Sequence, residues 1–307
     1  MHSKTYCHLS HKSSGCSRIC NPDKFSESVG RGRGQRDVMA TMKVERERVQ
    51  GVDLEVVRGG EGPPVVLLHG PTVYSPEAPF LGMLGRAASV IAPSHPGFGG
   101  SARPDDFDTV YDLVHFYQNF LDTLPDERVA LIGCSFGGWL AAELAVNYGH
   151  RLEKLVLVDA VGIKVGGREE RDIVHHFNTS PAELARRAWH DPTRQRTGKF
   201  GLGWQQYLDA MSDEEMVTLA RGWDALCLYA WRPHLFNPKL KRWLHRVSVP
   251  TLVLWGACDQ IVTPAYGRAY AELIPGARFE QIQDAGHHPE LEQPEAFVER
   301  VLGFIRA

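Results

Sequence analysis

Apolar residues in this chain fall into short runs at 65–68, 129–132, 154–158 and 251–255, the last two opened by Lys154 and Thr251, with a further run at 89–92 opened by Ser89. Four or five apolar residues without alternation predict strands buried on both faces. Residues 43–49 and 53–58 instead alternate polar and apolar positions around Gln50-Gly51, which predicts an antiparallel hairpin at a sheet edge. Helical stretches are expected at 80–88, 108–124, from 139 to 148, and at 264–273 and 294–305. The second carries Leu113, Phe116, Tyr117, Phe120, Leu121 and Leu124 at helical spacing. With a short strand at 278–282, the pattern predicts an α/β architecture: a mostly parallel eight-stranded sheet with helices on both faces.

The alternation stops after Asp159. Residues 162–247 hold no convincing buried strand but many aromatics and histidines, among them His175, His176, Phe177, Trp204, Trp223 and Trp231. A helical cap at 162–247, inserted into a core made of 41–161 and 248–307, is the simplest account. Residues 1–40 are rich in Ser, Gly, Arg and His, show no period, and are expected to form a disordered tail without a secretory signal.

Composition narrows the classes of function. The formal net charge of −3 over 307 residues gives no electrostatic case for nucleic acid or an anionic membrane. No apolar run approaches the roughly 18 residues of a membrane span, and a cytoplasmic protein is expected. Cys134 and Cys258 fall in or beside predicted strands, where a reduced thiol is the expectation. The spacing of Cys7, Cys16 and Cys20 with His2, His8 and His11 fits no standard zinc pattern, so no metal site is expected.

The chemistry centres on Gly133-Cys134-Ser135-Phe136-Gly137, between the run 129–132 and a helix rich in Ala and Leu. This is the Gly-x-Ser-x-Gly arrangement, in which the serine sits on a strained strand-to-helix turn. His69-Gly70 follows one strand, and Pro96-Gly97-Phe98-Gly99-Gly100-Ser101 follows the next. Asp259 lies in Gly256-Ala257-Cys258-Asp259-Gln260-Ile261-Val262-Thr263-Pro264, and His287 in Asp284-Ala285-Gly286-His287-His288-Pro289-Glu290-Leu291-Glu292. On these motifs residues 43–307 resemble the α/β-hydrolase family. The resemblance implies a catalytic triad of Ser135, Asp259 and His287 and requires no cofactor. His287 is preferred to His288, and Asp259 to Asp159, which ends the preceding strand where some family members place the acid. His69 is expected to brace its loop, and Glu290 and Glu292 to tie the His287 loop to nearby backbone. His95 is given no role.

A serine hydroxyl needs a base within hydrogen-bond reach, and that base needs a third group to fix its tautomer. The resulting oxyanion needs donors. Phe136 N–H is one, and family members commonly take the second from the residue after His-Gly. That residue is Pro71, which lacks an N–H, so Thr72 or Val73 is expected to substitute. Trp231, His175 and Trp204 are the expected substrate contacts, with His176, His190 and Arg232 as further polar candidates. The implied activity is hydrolysis of a carboxylic ester of a small apolar or aromatic molecule, with a homodimer allowed. A carbon–carbon hydrolase of ring-cleavage products is the alternative, although those relatives usually carry Trp after the catalytic histidine, where this chain has His288. A ligand-binding receptor on the same fold is the alternative from another class.

Overall fold

A computed structural model describes residues 39–191 and 209–307. The tail expected at residues 1–40 lies almost wholly outside the described residues, and Trp204 lies outside them too. The strands are β1 (Met42–Val49), β2 (Val52–Gly59), β3 (Pro64–Leu68), β4 (Ser89–Pro93), β5 (Val129–Cys134), β6 (Leu152–Val158), β7 (Thr251–Gly256) and β8 (Arg278–Ile282). They form one eight-stranded sheet in the order β1-β2-β4-β3-β5-β6-β7-β8. β1 and β2, and β2 and β4, pair antiparallel, and every other pair is parallel.

The hairpin forms as its pattern predicts. Val49 pairs with Val52 across Gln50 and Gly51, whose φ values of 49° and 83° suit a two-residue turn with both central residues left-handed. The apolar runs bury both faces because successive side chains point to opposite sides of the sheet. Val66, Leu68, Leu131, Leu155, Leu157, Val253 and Trp255 enter one core. Their neighbours Val65, Leu67, Ile132, Val156, Val158, Leu252 and Leu254 enter the other.

The first core is closed by α2 (Val110–Thr123), α3 (Phe136–Tyr148) and α6 (Pro264–Glu272). The second is closed by α1 (Pro79–Leu84) and α8 (Pro294–Ile305), through Phe80, Leu81, Leu84, Phe297, Val301 and Phe304. Helix α2 starts with a capping box: Thr109 Oγ1 accepts from Asp112 N, and Asp112 Oδ2 accepts from Thr109 N at 2.8 Å. Helix α1 ends sooner than its apolar pattern suggests. After Leu84 the backbone bonds shorten to Arg86 N–Met83 O and Ala87 N–Leu84 O, and the chain turns into β4. Met42 and Ala40 fill the space in which a Cβ at Gly85 would lie.

Between β6 and β7 the described residues form α4 (Pro181–Ala188), α5 (Asp213–Ala230) and three short 3₁₀ turns, with no named strand. Tyr229 on α5 donates its hydroxyl to Pro96 O at 3.1 Å, and Ala188 O at the end of α4 accepts from His287 N at 2.6 Å. α7 (Pro289–Glu292) follows the His287 loop. Among the described residues no helix is long and apolar enough to cross a membrane.

Candidate active site

Ser135 stands between the end of β5 and the first residue of α3, with φ 51° and ψ −112°. A left-handed conformation at a non-glycine residue costs about 1–3 kcal/mol and persists only where its surroundings enforce it. Here they do. Ser135 N donates to Val158 O at 2.9 Å, and Ser135 O accepts from Gly138, Trp139 and Val161. The flanking glycines are explained by crowding. A Cβ on Gly133 would meet Gly137 O, and one on Gly137 would meet Leu68 O and His69 O. A Cβ on Gly70 would come 3.2 Å from Ser135 Cβ, a tight approach that glycine eases as this loop passes over the serine.

Asp259 and His287 arrive from the ends of β7 and β8. Cys258 N donates to Ala285 O at 2.8 Å and Ala257 N to Ile282 O at 2.9 Å, which laces the two loops together. Ser135 Oγ donates to His287 Nε2 at 2.9 Å, and His287 Nδ1 donates to Asp259 Oδ2 at 2.7 Å. Ile261 N and Val262 N donate to Asp259 Oδ1 at 2.7 and 3.1 Å. All three side chains belong to residues no more than 4% exposed. The structure thus joins the three residues singled out in the sequence into one hydrogen-bonded line. Such a line fixes the tautomer of the imidazole and leaves Nε2 free to take the serine proton. Asp159, Asp259 and His287 are the one group among the described residues whose ligand atoms lie close enough to hold a metal ion, within 4.8 Å of one another. His287 Nδ1 and both oxygens of Asp259 are already committed to the bonds above.

His69 braces the loop over Ser135. Its Nδ1 donates to Gly70 O at 2.6 Å and its Nε2 accepts from His95 N at 2.9 Å, an arrangement only the neutral ring can make. Burial pushes its pKa down to about 4. His95, given no role from sequence, is the support behind it. His95 Nε2 donates to His69 O at 2.8 Å, which leaves Nδ1 to accept the hydroxyl proton of the buried Tyr117 on α2. No spacing in the sequence signals this chain, because its three members are 26 and 22 residues apart. Tyr117→Phe should leave His95 Nδ1 buried without a donor and lower stability by about 1–3 kcal/mol. A urea titration checks this: the midpoint falls with the slope unchanged, whereas an unmoved midpoint shows the bond to be dispensable.

Glu292 ties the His287 loop as expected, accepting from Gly286 N, His190 N and Asp191 N. Glu290 instead accepts from a side chain, the Tyr74 hydroxyl at 3.0 Å, with His288 Nδ1 at 3.7 Å from the same oxygen. The hydrogen bond and charge of Glu290 raise the pKa of His288 against the lowering effect of burial, which is the larger single influence.

Two hollows share Pro71, Thr72, Trp189, His287 and His288 in their walls. A recess of about 80 Å³ contains Ser135 and Gly70 in its wall. A cavity of about 350 Å³ is walled by His176, Phe177, Leu184, Trp189, Trp223 and Ile261, with no lysine, arginine or carboxylate among its described lining residues. Thr72, the expected oxyanion donor, lines both hollows. Phe136 N–H opens α3 beside the serine, where the first N–H groups of a helix have no partner within it.

Trp231 and His175 are not in the cavity wall. Trp231 is 46% exposed and packs on Phe177 and His175, while His175 stacks on His234 with ring centres 4.0 Å apart. The wall positions belong to their neighbours His176 and Phe177. The stretch before α4 is irregular, so no period in it tells which aromatic faces inward. His190 lies at the end of α4 with its N–H on Glu292, and Arg232 lies at a different cavity beside Trp139 and Tyr229.

Comparison with known proteins agrees with this fold. The family model described as "Alpha/beta hydrolase family" matches residues 65–300. The 2-hydroxy-6-oxo-2,4-heptadienoate hydrolase of Pseudomonas putida is 25% identical over 84% of this chain and 94% of its own length. Polyketide synthase ThaQ of Burkholderia thailandensis is 31% identical over 83% of this chain, which spans only 12% of that protein. The solved structure of a 2-hydroxy-6-oxo-6-phenylhexa-2,4-dienoate hydrolase from Rhodococcus superposes with a TM-score of 0.69 at 21% identity, covering 87% of this chain and 100% of that one. The strained serine at the strand–helix turn, the eight-stranded sheet and the span of the match lead to one conclusion: the chain belongs to the alpha/beta hydrolase family.

Proposed function

We propose that this hydrolase cleaves a carboxylic ester of a small apolar or aromatic molecule through an acyl-enzyme on Ser135. The observation that carries the reading is a serine–histidine–aspartate line whose His287 also lies in the wall of a mostly apolar cavity of about 350 Å³, with no lysine, arginine or carboxylate among its described lining residues. His287 takes the proton as Ser135 Oγ attacks the carbonyl, and Asp259 holds the imidazolium that forms. Phe136 N–H supports the oxyanion, with Thr72 or Val73 supplying the donor that Pro71 lacks. The alcohol leaves with the proton from His287. Water then attacks the acyl group by the same route, and Ser135 recovers its proton.

The relative from Pseudomonas putida favours a second reading, hydrolysis of a carbon–carbon bond in a dienoate. A dienoate carries a carboxylate, and none of the described residues lining either hollow beside Ser135 is a lysine or arginine to receive it; His288, whose pKa is raised, already faces the Glu290 carboxylate at 3.7 Å. Ester hydrolysis therefore ranks first. The test compares p-nitrophenyl esters from acetate to octanoate with 2-hydroxy-6-oxo-2,4-heptadienoate as substrates. We expect ester turnover with a chain-length optimum and kcat/KM for the dienoate at least about 10-fold lower, the scale of one missing charge-assisted contact. A dienoate kcat/KM above that of every ester overturns the order of the two readings.

A further inference from the structure

Asp159 ends β6 with φ 43° and is fully buried. Its Oδ1 accepts from Gly256 N at 3.0 Å. Its Oδ2 is buried with no N–H or O–H to accept from. A carboxyl oxygen of Asp159, one of Asp259 and a ring nitrogen of His287 all lie within 4.8 Å of one another. Two buried carboxyl groups this close do not both ionise. Asp259 is the better stabilised anion, because Ile261 N, Val262 N and His287 Nδ1 all donate to it while Asp159 receives one N–H.

We propose that Asp159 is a positioning residue carrying a proton on Oδ2, which it donates to Asp259 and so holds that carboxylate facing His287. This assigns Asp159 the opposite role from a spare anionic member of the triad. Burial, first, and the charge of Asp259, second, drive its pKa well above the usual carboxylate value. The other titratable groups facing it are Glu290 and Cys134, neither able to offer a positive charge, and His287, which is cationic only when protonated. The inference rests on the reading of Asp259 as the acid that orients His287, but its first test does not depend on any substrate.

The sign of the pH effect follows from proton counting. The folded protein keeps a proton on Asp159 that the unfolded chain releases above about pH 3.9. Stability of the wild type therefore falls with rising pH until the raised folded pKa is passed. Asp159→Asn keeps the shape, offers an N–H to Asp259 and has no proton to lose. Its Tm should exceed that of the wild type by a margin that widens from pH 5 to pH 8. A margin that is constant or negative over this range overturns the proposal, whether or not an ester is found to be a substrate.

The second readout is the pH profile of ester hydrolysis. Asp159→Asn should keep kcat within about 3-fold of the wild type, less than one neutral hydrogen bond. Asp159→Ala removes the donor, so kcat should fall about 10-fold, the scale of one hydrogen bond to a charged group, with KM unchanged. The acid limb should move to higher pH in Asp159→Ala alone, since an Asp259 without this donor is more basic and raises the pKa of its partner imidazole. If Asp159→Asn loses as much activity as Asp159→Ala, Asp159 acts as an anion and the proposal fails. Should the alanine variant not fold, the asparagine variant decides the question alone.

Discussion

Ser135→Ala should lower kcat for p-nitrophenyl ester hydrolysis by at least about 10⁴-fold, the scale of losing a nucleophile whose base cannot substitute for it. The substitution removes only Oγ, which makes one hydrogen bond, to His287 Nε2. The backbone that enforces φ 51° stays as it is, because Ser135 N and O keep their bonds to Val158, Gly138, Trp139 and Val161. Alanine carries the same Cβ as serine, so the steric cost at this φ does not change. The fold should therefore survive, with a urea midpoint close to that of the wild type. A residual rate above water is expected from the oxyanion donors and from binding. A loss of less than about 10-fold would place the chemistry on another group, since no deletion of a true nucleophile is so mild.

Gly256→Ala should be the most damaging small substitution in the core of the site. Gly256 closes β7, donates to Asp159 Oδ1 and accepts from Asp259 N at 3.2 Å. A Cβ here would fall on Gly286 O and within 2.7 Å of Ala285 O. Both are backbone atoms of the loop that carries His287, so no side-chain rotation relieves the overlap. Either β7 or the His287 loop must move. Forcing atoms into a filled core costs about 1–3 kcal/mol and at times more, and a backbone overlap belongs at the upper end. The surviving folded protein should also turn over esters about 10²-fold more slowly, because a displacement near 1 Å is enough for that loss. Urea titration and kcat on one ester measure both effects. A variant with the wild-type midpoint and kcat would show that the two loops are not set by this contact.

Much of this was legible before any tertiary structure. Runs such as 65–68 and 155–158 have no polar residue to face solvent, so they read as strands covered on both sides, and they are. The hairpin was readable because Gln50-Gly51 sits between two alternating segments. Ser135, Asp259 and His287 were found because the motifs around them resemble those of α/β-hydrolases and each lies in the loop after a strand, and a parallel sheet brings the carboxyl ends of its strands to one edge. The end of α1 was not readable. Ala87 and Ala88 suit a helix, while the fold ends α1 at Leu84 with Gly85 as its cap.

The sequence by itself determined the order of strands and helices, the strained serine turn and the three residues of the relay. Those features depend on neighbours in the chain: periodicity, glycine spacing and the short motifs in the loops that follow the strands. The tertiary structure decided the rest. It chose His176 and Phe177 over His175 and Trp231 for the cavity wall, gave His95 its place behind His69, and set Asp159 against Asp259. Each of these depends on contacts between segments far apart in sequence, where burial removes water and leaves only the groups that folding has brought together to satisfy a ring nitrogen or a carboxyl oxygen.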